Sequence, residues 1–387
     1  MTPSLIELTN VLNSNATVRG STHDFYRYPA RFSPDFVRYC IESFSGPGDT
    51  VMDPFMGGGT TVVEALATGR RAIGVDINNL AHFVTRVKTT PLSDADALAV
   101  RETINQVESA YHRGQRANPF RRDSRVRNLP DELETFFAIA MSVVRTVPMV
   151  RRRAFVRCAL LGVGQWALES REDVPDGERL IGQLKTHTNS MLQGIDTLVR
   201  RAKGAGIAKK KLTRYRQLVR GSAADFHILG PMTFKPRLIV TSPPYPGVHV
   251  LYHRWQVGSR LETPAPYWVT GLRDGHGASY YTMGSRSALG ITRYYETLRK
   301  SLQNVRSLLA DDGLLIQLVA FSQTETQLPL YLGTLDAVGF EEYNPWTPRE
   351  GERLTRDVPH RRWYTHRQER GDAGSEVLLI HRPQPTH

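Results

Sequence analysis

The chain has 387 residues, 40% hydrophobic and 23% charged, enough for one large core or two smaller ones and too apolar for a disordered tail. No stretch approaches the roughly 18 to 20 uninterrupted apolar residues of a membrane span, Met1–Asn13 lacks the basic start and apolar run of a signal peptide, and Cys40 and Cys158 are too few for a disulfide framework or a four-thiolate metal site; the expected location is the cytoplasm. The net charge of +12 suits a polyanionic partner, and residues 93–220, with 24 Lys or Arg against 14 Asp or Glu, carry +10 of it.

Gly46-Pro47-Gly48 breaks the chain before Thr50–Asp53, an apolar run that reads as a strand ending on an acid. A glycine turn follows, then Thr60–Thr68 with the helical spacing of Val63, Leu66 and Ala67, closed by Gly69 as a C-cap. Arg71–Asp76 is the next strand and again ends on an acid. Strand, glycine loop, helix, strand is half of a doubly wound α/β sheet. From Ser93 to about Leu212 the pattern is helical, with helices expected at Ala95–Arg113, Pro130–Thr146, Arg152–Leu168 and Gly182–Ala202. Strands resume near Leu218–Gly221 and at Leu238–Thr241, where Pro243 and Pro244 end the run. Residues 246–289 read as a polar, aromatic and glycine-rich loop. A helix (Arg293–Leu309), a strand (Leu314–Phe321), a helix (Leu328–Val338) and a terminal hairpin (near Glu341–Trp346 and Glu376–His381) complete the expected elements.

Asp53-Pro54-Phe55-Met56-Gly57-Gly58-Gly59-Thr60 places three glycines between a strand and a helix, where a missing Cβ lets backbone approach a ligand. A plain structural turn is the competing reading. No Lys-Ser or Lys-Thr follows, as a phosphate loop requires, and the spacing is not that of the dinucleotide fingerprint. Asp53 before the glycines suits a cationic group such as an amino acid ammonium. Asp76, ending the next strand, suits a ribose diol.

Asp53–Thr60 together with Asp76 resembles the cofactor motif of S-adenosylmethionine-dependent DNA amino-methyltransferases. His23–Pro34 (HDFYRYPARFSP) is similar to the segment that in those enzymes precedes the glycine loop and packs on the methionine end of the cofactor. The resemblance implies a Rossmann-like methyltransferase sheet and cofactor contacts from Phe32, Asp53, Pro54, Phe55, Gly57, Gly59, Thr60, Asp76 and Ile77, with Asp225 holding the cofactor's adenine amine.

Thr241-Ser242-Pro243-Pro244-Tyr245 carries the expected chemistry. An exocyclic base amine is a poor nucleophile because its lone pair is delocalised into the ring. Acceptors at the Ser242 side chain and the Pro243 carbonyl would draw that amine toward tetrahedral geometry as a methyl group arrives. Pro243 and Pro244 fix the turn, and Tyr245 would stack on a base flipped from the duplex. The resemblance associates Ser at the first motif position with cytosine N4 and Asp or Asn with adenine N6. Methylation at cytosine carbon 5 needs a cysteine nucleophile, usually after proline, whereas Cys40 follows Tyr39 and Cys158 follows Arg157.

Nine basic residues and no acid lie between Arg200 and Arg220; of these, Lys209, Lys210, Lys211, Arg214 and Arg216 are expected to meet DNA phosphates. His253, Arg254 and Trp255, in an aromatic and arginine-rich stretch, are expected to meet bases. His249 and His253 have the spacing of a helical metal pair, but without a catalytic Glu or a third ligand no metal is expected. Pro359–Tyr364 is either a loop beside the flipped base or a basic connector.

The expected organisation is a cofactor half (1–92), a basic helical insert and candidate DNA-binding region (93–212), and a catalytic half (213–387) holding a candidate recognition loop (246–292). Recognition is expected inside the chain, since little sequence follows the hairpin. The expected reaction is methyl transfer from S-adenosylmethionine to a flipped base amine of double-stranded DNA, cytosine N4 first. Adenine N6, an RNA base and a non-catalytic DNA-binding protein of the same fold are the alternatives. The resemblance also leaves room for a restriction endonuclease as partner.

Overall fold

The computed structural model describes residues 4–14, 20–28, 32–114, 126–168, 173–225, 234–246, 254–258, 261–273, 283–284, 287–346, 353–357 and 375–385. Helices α1 (Leu5–Leu12) and α2 (Pro34–Phe44) precede strand β1 (Thr50–Asp53), helix α3 (Thr60–Ala67), strand β2 (Arg71–Asp76) and helix α4 (Asn79–Lys88). Four long helices follow: α5 (Asp94–His112), α6 (Asp131–Thr146), α7 (Val150–Leu168) and α8 (Gly177–Gly204). The chain then returns through a 3-10 turn (Lys209–Tyr215) to strands β3 (Arg216–Arg220) and β4 (Leu238–Thr241). Short strands β5 (Trp255–Val257) and β6 (Leu261–Thr263) lead to α9 (Ala265–Thr270), α10 (Ala288–Leu308), β7 (Leu314–Val319) and α11 (Thr324–Asp336). Strands β8 (Phe340–Glu342), β9 (Thr355–Asp357) and β10 (Ser375–Pro383) close the fold.

Among the described residues the main sheet runs β3-β2-β1-β4-β7-β10-β8, with β9 paired to β10. The pairs from β3 to β7 are parallel, and β10 is antiparallel to each of its partners. Alternation along the strands sorts side chains to two faces. Val51, Ala72, Leu238 and Val240 meet α2 and α3, whereas Met52, Ile73, Val75, Ile239 and Leu315 meet α10 and α11. Both faces are covered, which is why these strands read as unbroken apolar runs. Helices α5–α8 build a separate cluster around Phe136, Phe137, Phe155 and Leu184, which also takes in Trp255, Tyr267 and Trp268.

The structure corrects the sequence reading in several places. Residues 246–289 are not all loop: β5, β6 and α9 lie among their described residues. The three-residue strands are too short to show periodicity, and Pro266 sits in the first turn of α9, where its missing N–H costs no helical bond. Helix α8 starts five residues before the expected Gly182, capped by the Asp176 side chain accepting from Arg179 N at 2.9 Å. Gly177 looks like a breaker in the sequence, yet a Cβ there would fall 1.7 Å from the Tyr111 hydroxyl, so its absence lets α5 and α8 pack. Strand β9 adds a third member to the terminal hairpin.

A buried carboxylate ties α8 to α3 and to the segment before β1. Glu64 of α3 accepts from His23 Nε2 (2.8 Å), Arg38 Nε (2.8 Å) and Arg201 of α8 (2.7 Å), and these cationic and hydrogen-bonding partners hold its carboxyl well below the usual range.

Candidate functional site

Strand order reverses between β1 and β4: β2 and β3 extend the sheet one way, β7 and β10 the other. The crevice at the carboxyl ends of such strands is where open α/β sheets take ligands. Asp53 ends β1, and Thr241 and Ser242 end β4 in the adjacent position. The Thr241 hydroxyl donates to Asp53 Oδ1 at 2.6 Å, joining two motifs 188 residues apart. The Phe55 N–H donates to the same oxygen at 3.0 Å. Asp53 is therefore a buried brace between strands as well as a candidate ligand acceptor.

The glycine turn is held from several sides. Met56 N donates to Val75 O (2.9 Å), Gly59 N to Met56 O (2.7 Å), and Gly57 N to Asp76 Oδ2 (2.9 Å). Asn78 N donates to Asp76 Oδ1 at 2.7 Å. Each Asp76 oxygen keeps a further lone pair, and the residue is half-buried, so it remains competent to accept from a diol. Gly59 has φ +76°, and a Cβ on it would lie 2.4 Å from Thr85 Oγ1; only glycine fits. Pro54 and Thr60 are buried at the two ends of the turn, while Phe55, Gly57 and Ile77 are half-buried along it. Asp225 is half-buried in a turn beyond the carboxyl end of β3, on the same edge of the sheet. Phe32 packs into the α2 core beside Phe36 (centroids 5.9 Å). Pro29, Ala30 and Arg31 lie outside the described residues.

Three supports of this turn escaped the sequence reading. Lys88, 0% exposed, donates from Nζ to Gly58 O at 2.8 Å. The Tyr28 ring lies 3.4 Å from where a Gly57 Cβ would stand, and its hydroxyl accepts from Asn78 Nδ2 at 3.1 Å. Asn78 Oδ1 in turn accepts from the Tyr267 hydroxyl (3.1 Å) and from Leu80 N, capping α4. A lysine within an otherwise apolar helix face and an Asn directly before a helix were the available signals.

In the proline motif, Ser242 is half-buried, with its Oγ 3.0 Å from the Tyr245 hydroxyl. Tyr245 donates to Glu376 Oε1 of β10 at 2.5 Å, and Arg356 of β9 donates to Glu376 Oε2 at 2.7 Å. Tyr294 donates to Pro244 O at 2.8 Å. Tyr245 is 7% exposed and packs with Tyr294 and Val377. The expected open stacking platform is, in this conformation, a core anchor.

The expected DNA contacts divide. Lys209, Lys210, Lys211 and Arg214 are exposed, but the turn that bears them feeds the amino end of β3. They lie at the opposite edge of the sheet from Ser242, one strand length of roughly 17 Å away. Arg216 is corrected to a structural role: it donates to Arg86 O at 2.9 Å and to the hydroxyls of Thr89 and Thr90, and burial pushes its guanidinium down to about 10. Trp255 is also corrected, being 2% exposed, 5.8 Å from the Phe137 ring and seated on Gly164. Arg254 is half-buried, 3.9 Å from Glu262. His249, His253 and Pro359–Tyr364 lie outside the described residues. At the carboxyl edge, exposed Arg220 and Arg273 flank Asn79: Arg220 donates to its Oδ1 at 3.3 Å, and Arg273 O accepts from its Nδ2 at 2.9 Å.

Residues 2–84 match the N6/N4 methyltransferase family model described as DNA methylase. The chain is 29% identical over 144 residues to Type II methyltransferase M.MvaI of Kocuria varians, covering 35% of this chain and 30% of that protein. It is 35% identical over 91 residues to Type II methyltransferase M.BsoBI of Geobacillus stearothermophilus (22% and 18%), and 37% identical over 62 residues to DNA adenine methyltransferase YhdJ of Escherichia coli (16% and 21%). The matches thus span less than a third of these relatives. Among solved structures, rRNA methyltransferase aviRa of Streptomyces viridochromogenes aligns with 96% of this chain and 89% of its own at 10% identity and a TM-score of 0.37. Among the described residues no helix is long and apolar enough to cross a membrane.

Proposed function

We propose, on the match of residues 2–84 to the N6/N4 DNA methylase family model, that the chain transfers a methyl group from S-adenosylmethionine to the exocyclic amine of a DNA base, cytosine N4 before adenine N6. The observation that carries this reading is the Thr241–Asp53 bond, which sets the glycine turn and the Ser-Pro-Pro-Tyr end side by side at the switch point. The residues fit the cofactor: Asp76 retains acceptor capacity at the end of β2, beside a glycine turn whose backbone it holds through Gly57 N. Bound there, S-adenosylmethionine supplies an electrophilic methyl group on its sulfonium.

The chain's own part is to place and polarise the amine. A duplex base must leave the stack to reach Ser242, at a cost of a few kcal/mol. Ser242 Oγ and the Pro243 carbonyl are the acceptors that hold the amine N–H bonds so that the nitrogen turns tetrahedral and its lone pair leaves conjugation with the ring, free for in-line attack. Ser242, a neutral acceptor, supports the cytosine reading. The likeness to a protein named DNA adenine methyltransferase keeps adenine N6 as the second reading, and the Type II names of two relatives support looking for a partner restriction endonuclease. Incubation with methyl-labelled S-adenosylmethionine and either duplex DNA or RNA tests the substrate class. Label in DNA is expected; label in RNA alone, or in neither, overturns the reading.

Burial pushes Asp53 and Asp76 up to about 6. Both values lie above the ordinary carboxylate range, so their contribution to the stability of the cofactor-free fold is present at low pH and lost as pH rises through about 6. Ligand affinity runs the other way, because an ionised carboxylate is the stronger acceptor. Calorimetry should show cofactor affinity rising from pH 5 to 8, roughly tenfold where one of the two carboxylates must be ionised and roughly a hundredfold where both must. A flat profile would remove both acids from the cofactor site.

Phosphate contacts are expected at the carboxyl edge. Arg220→Gln with Arg273→Gln should weaken DNA binding for all sequences and flatten its salt dependence by about one unit of slope per lost contact. Gln at Lys209, Lys210 and Lys211 together should change the slope less. The reverse ranking in a salt titration would return the lysine run to the interface.

A further inference from the structure

We propose that Glu376, on the terminal strand β10, is a positioning residue that fixes the direction of the hydroxyl chain Glu376–Tyr245–Ser242 and so presents Ser242 to the substrate amine as an acceptor. The inference rests on the exocyclic-amine reading above.

Glu376 is buried and paired with Arg356, whose Nε and terminal nitrogen stand 2.7 and 2.6 Å from Oε2. As a carboxylate it has only lone pairs to offer. Tyr245 has one hydroxyl proton, and it points to Glu376 Oε1 across 2.5 Å. In the 3.0 Å contact with Ser242, the Tyr245 oxygen must then accept, so Ser242 donates its own proton inward. Both Ser242 lone pairs remain for a donor arriving at the end of β4. An amine N–H is such a donor. With the chain reversed, Ser242 would aim its proton at the amine, and donor would face donor.

Glu376→Gln reverses the chain with little change of shape. Arg356 requires an acceptor, so the Gln oxygen stays on its side and the amide NH2 faces Tyr245. Tyr245 then accepts from Gln and donates to Ser242. The expected result is a 10- to 100-fold fall in kcat for methyl transfer to duplex DNA, with the KM for DNA, the cofactor affinity and the melting temperature close to those of the parent. Tyr245→Phe removes the hydroxyl that links Glu376 to Ser242. In that background Glu376→Gln should have no further effect, a result that general damage to the core would not give. Glu376→Asp, which keeps a carboxylate on Arg356, should restore most of the turnover.

The inference is overturned if Glu376→Gln turns over like the parent, or if it costs as much with Phe at 245 as with Tyr. If Glu376→Gln melts early, Glu376→Asp decides: turnover as low as that of Glu376→Gln would equally overturn it. Failure of the functional reading looks different, since the parent protein itself would then put no methyl on a base amine.

Discussion

Ser242→Ala is expected to lower methyl-transfer turnover about 100-fold or more while leaving cofactor affinity nearly unchanged, because removing one oriented transition-state partner typically costs this much. Ser242 sits beyond β4 and its side chain hydrogen-bonds Tyr245, so its loss should not disturb the glycine turn. The thermal transition should hold as well, since Ser242 is half-buried and carries one side-chain hydrogen bond. Single-turnover rates with saturating cofactor isolate the step. A fall confined to KM would make Ser242 a binding residue and move the acceptor role to the Pro243 carbonyl.

Gly59→Ala tests the other half of the site. Its φ of +76° strains any L side chain, and the new Cβ would stand 2.4 Å from Thr85 Oγ1 and 2.6 Å from Thr85 Cγ2. Left-handed strain and overpacking each cost about 1–3 kcal/mol, so a total near 3 kcal/mol is expected, divided between stability of the fold and affinity for S-adenosylmethionine. The two costs separate by design. Adding Thr85→Ala removes Oγ1 and Cγ2 and should recover part of the overpacking but none of the backbone strain. Denaturant melts and calorimetry on the single and double variants read both; a Gly59→Ala protein with parental stability and affinity would show the turn to be pliable.

The β1–α3–β2 unit was legible because its signals are local. Gly46-Pro47-Gly48, the glycine turn and Gly69 mark where β1, α3 and β2 begin and end, and their apolar runs are unbroken since both sheet faces are covered. The position of Ser242 beside Asp53 was not legible: it depends on strand order, which brings together residues 188 apart. The position of the lysine run was hidden for the same reason, because charge is visible in sequence whereas the end of the sheet on which it lies is set by the direction of β3. Trp255 looked like an exposed aromatic among arginines until the insert core enclosed it. Glu376 shows the converse, a charged residue near the start of an apolar strand that is buried against the proline motif.

The account stands most directly on the atom that receives the methyl group. DNA methylated in vitro, digested to nucleosides and compared by mass spectrometry with N4-methylcytosine, N6-methyladenine and 5-methylcytosine standards identifies it. N4-methylcytosine is expected, and its amount should fall with Ser242→Ala. N6-methyladenine alone would keep the amine chemistry and reverse the choice of base. 5-Methylcytosine would contradict the account, since it needs a cysteine nucleophile and both Cys40 and Cys158 are buried, with burial pushing the Cys158 thiol up to about 12.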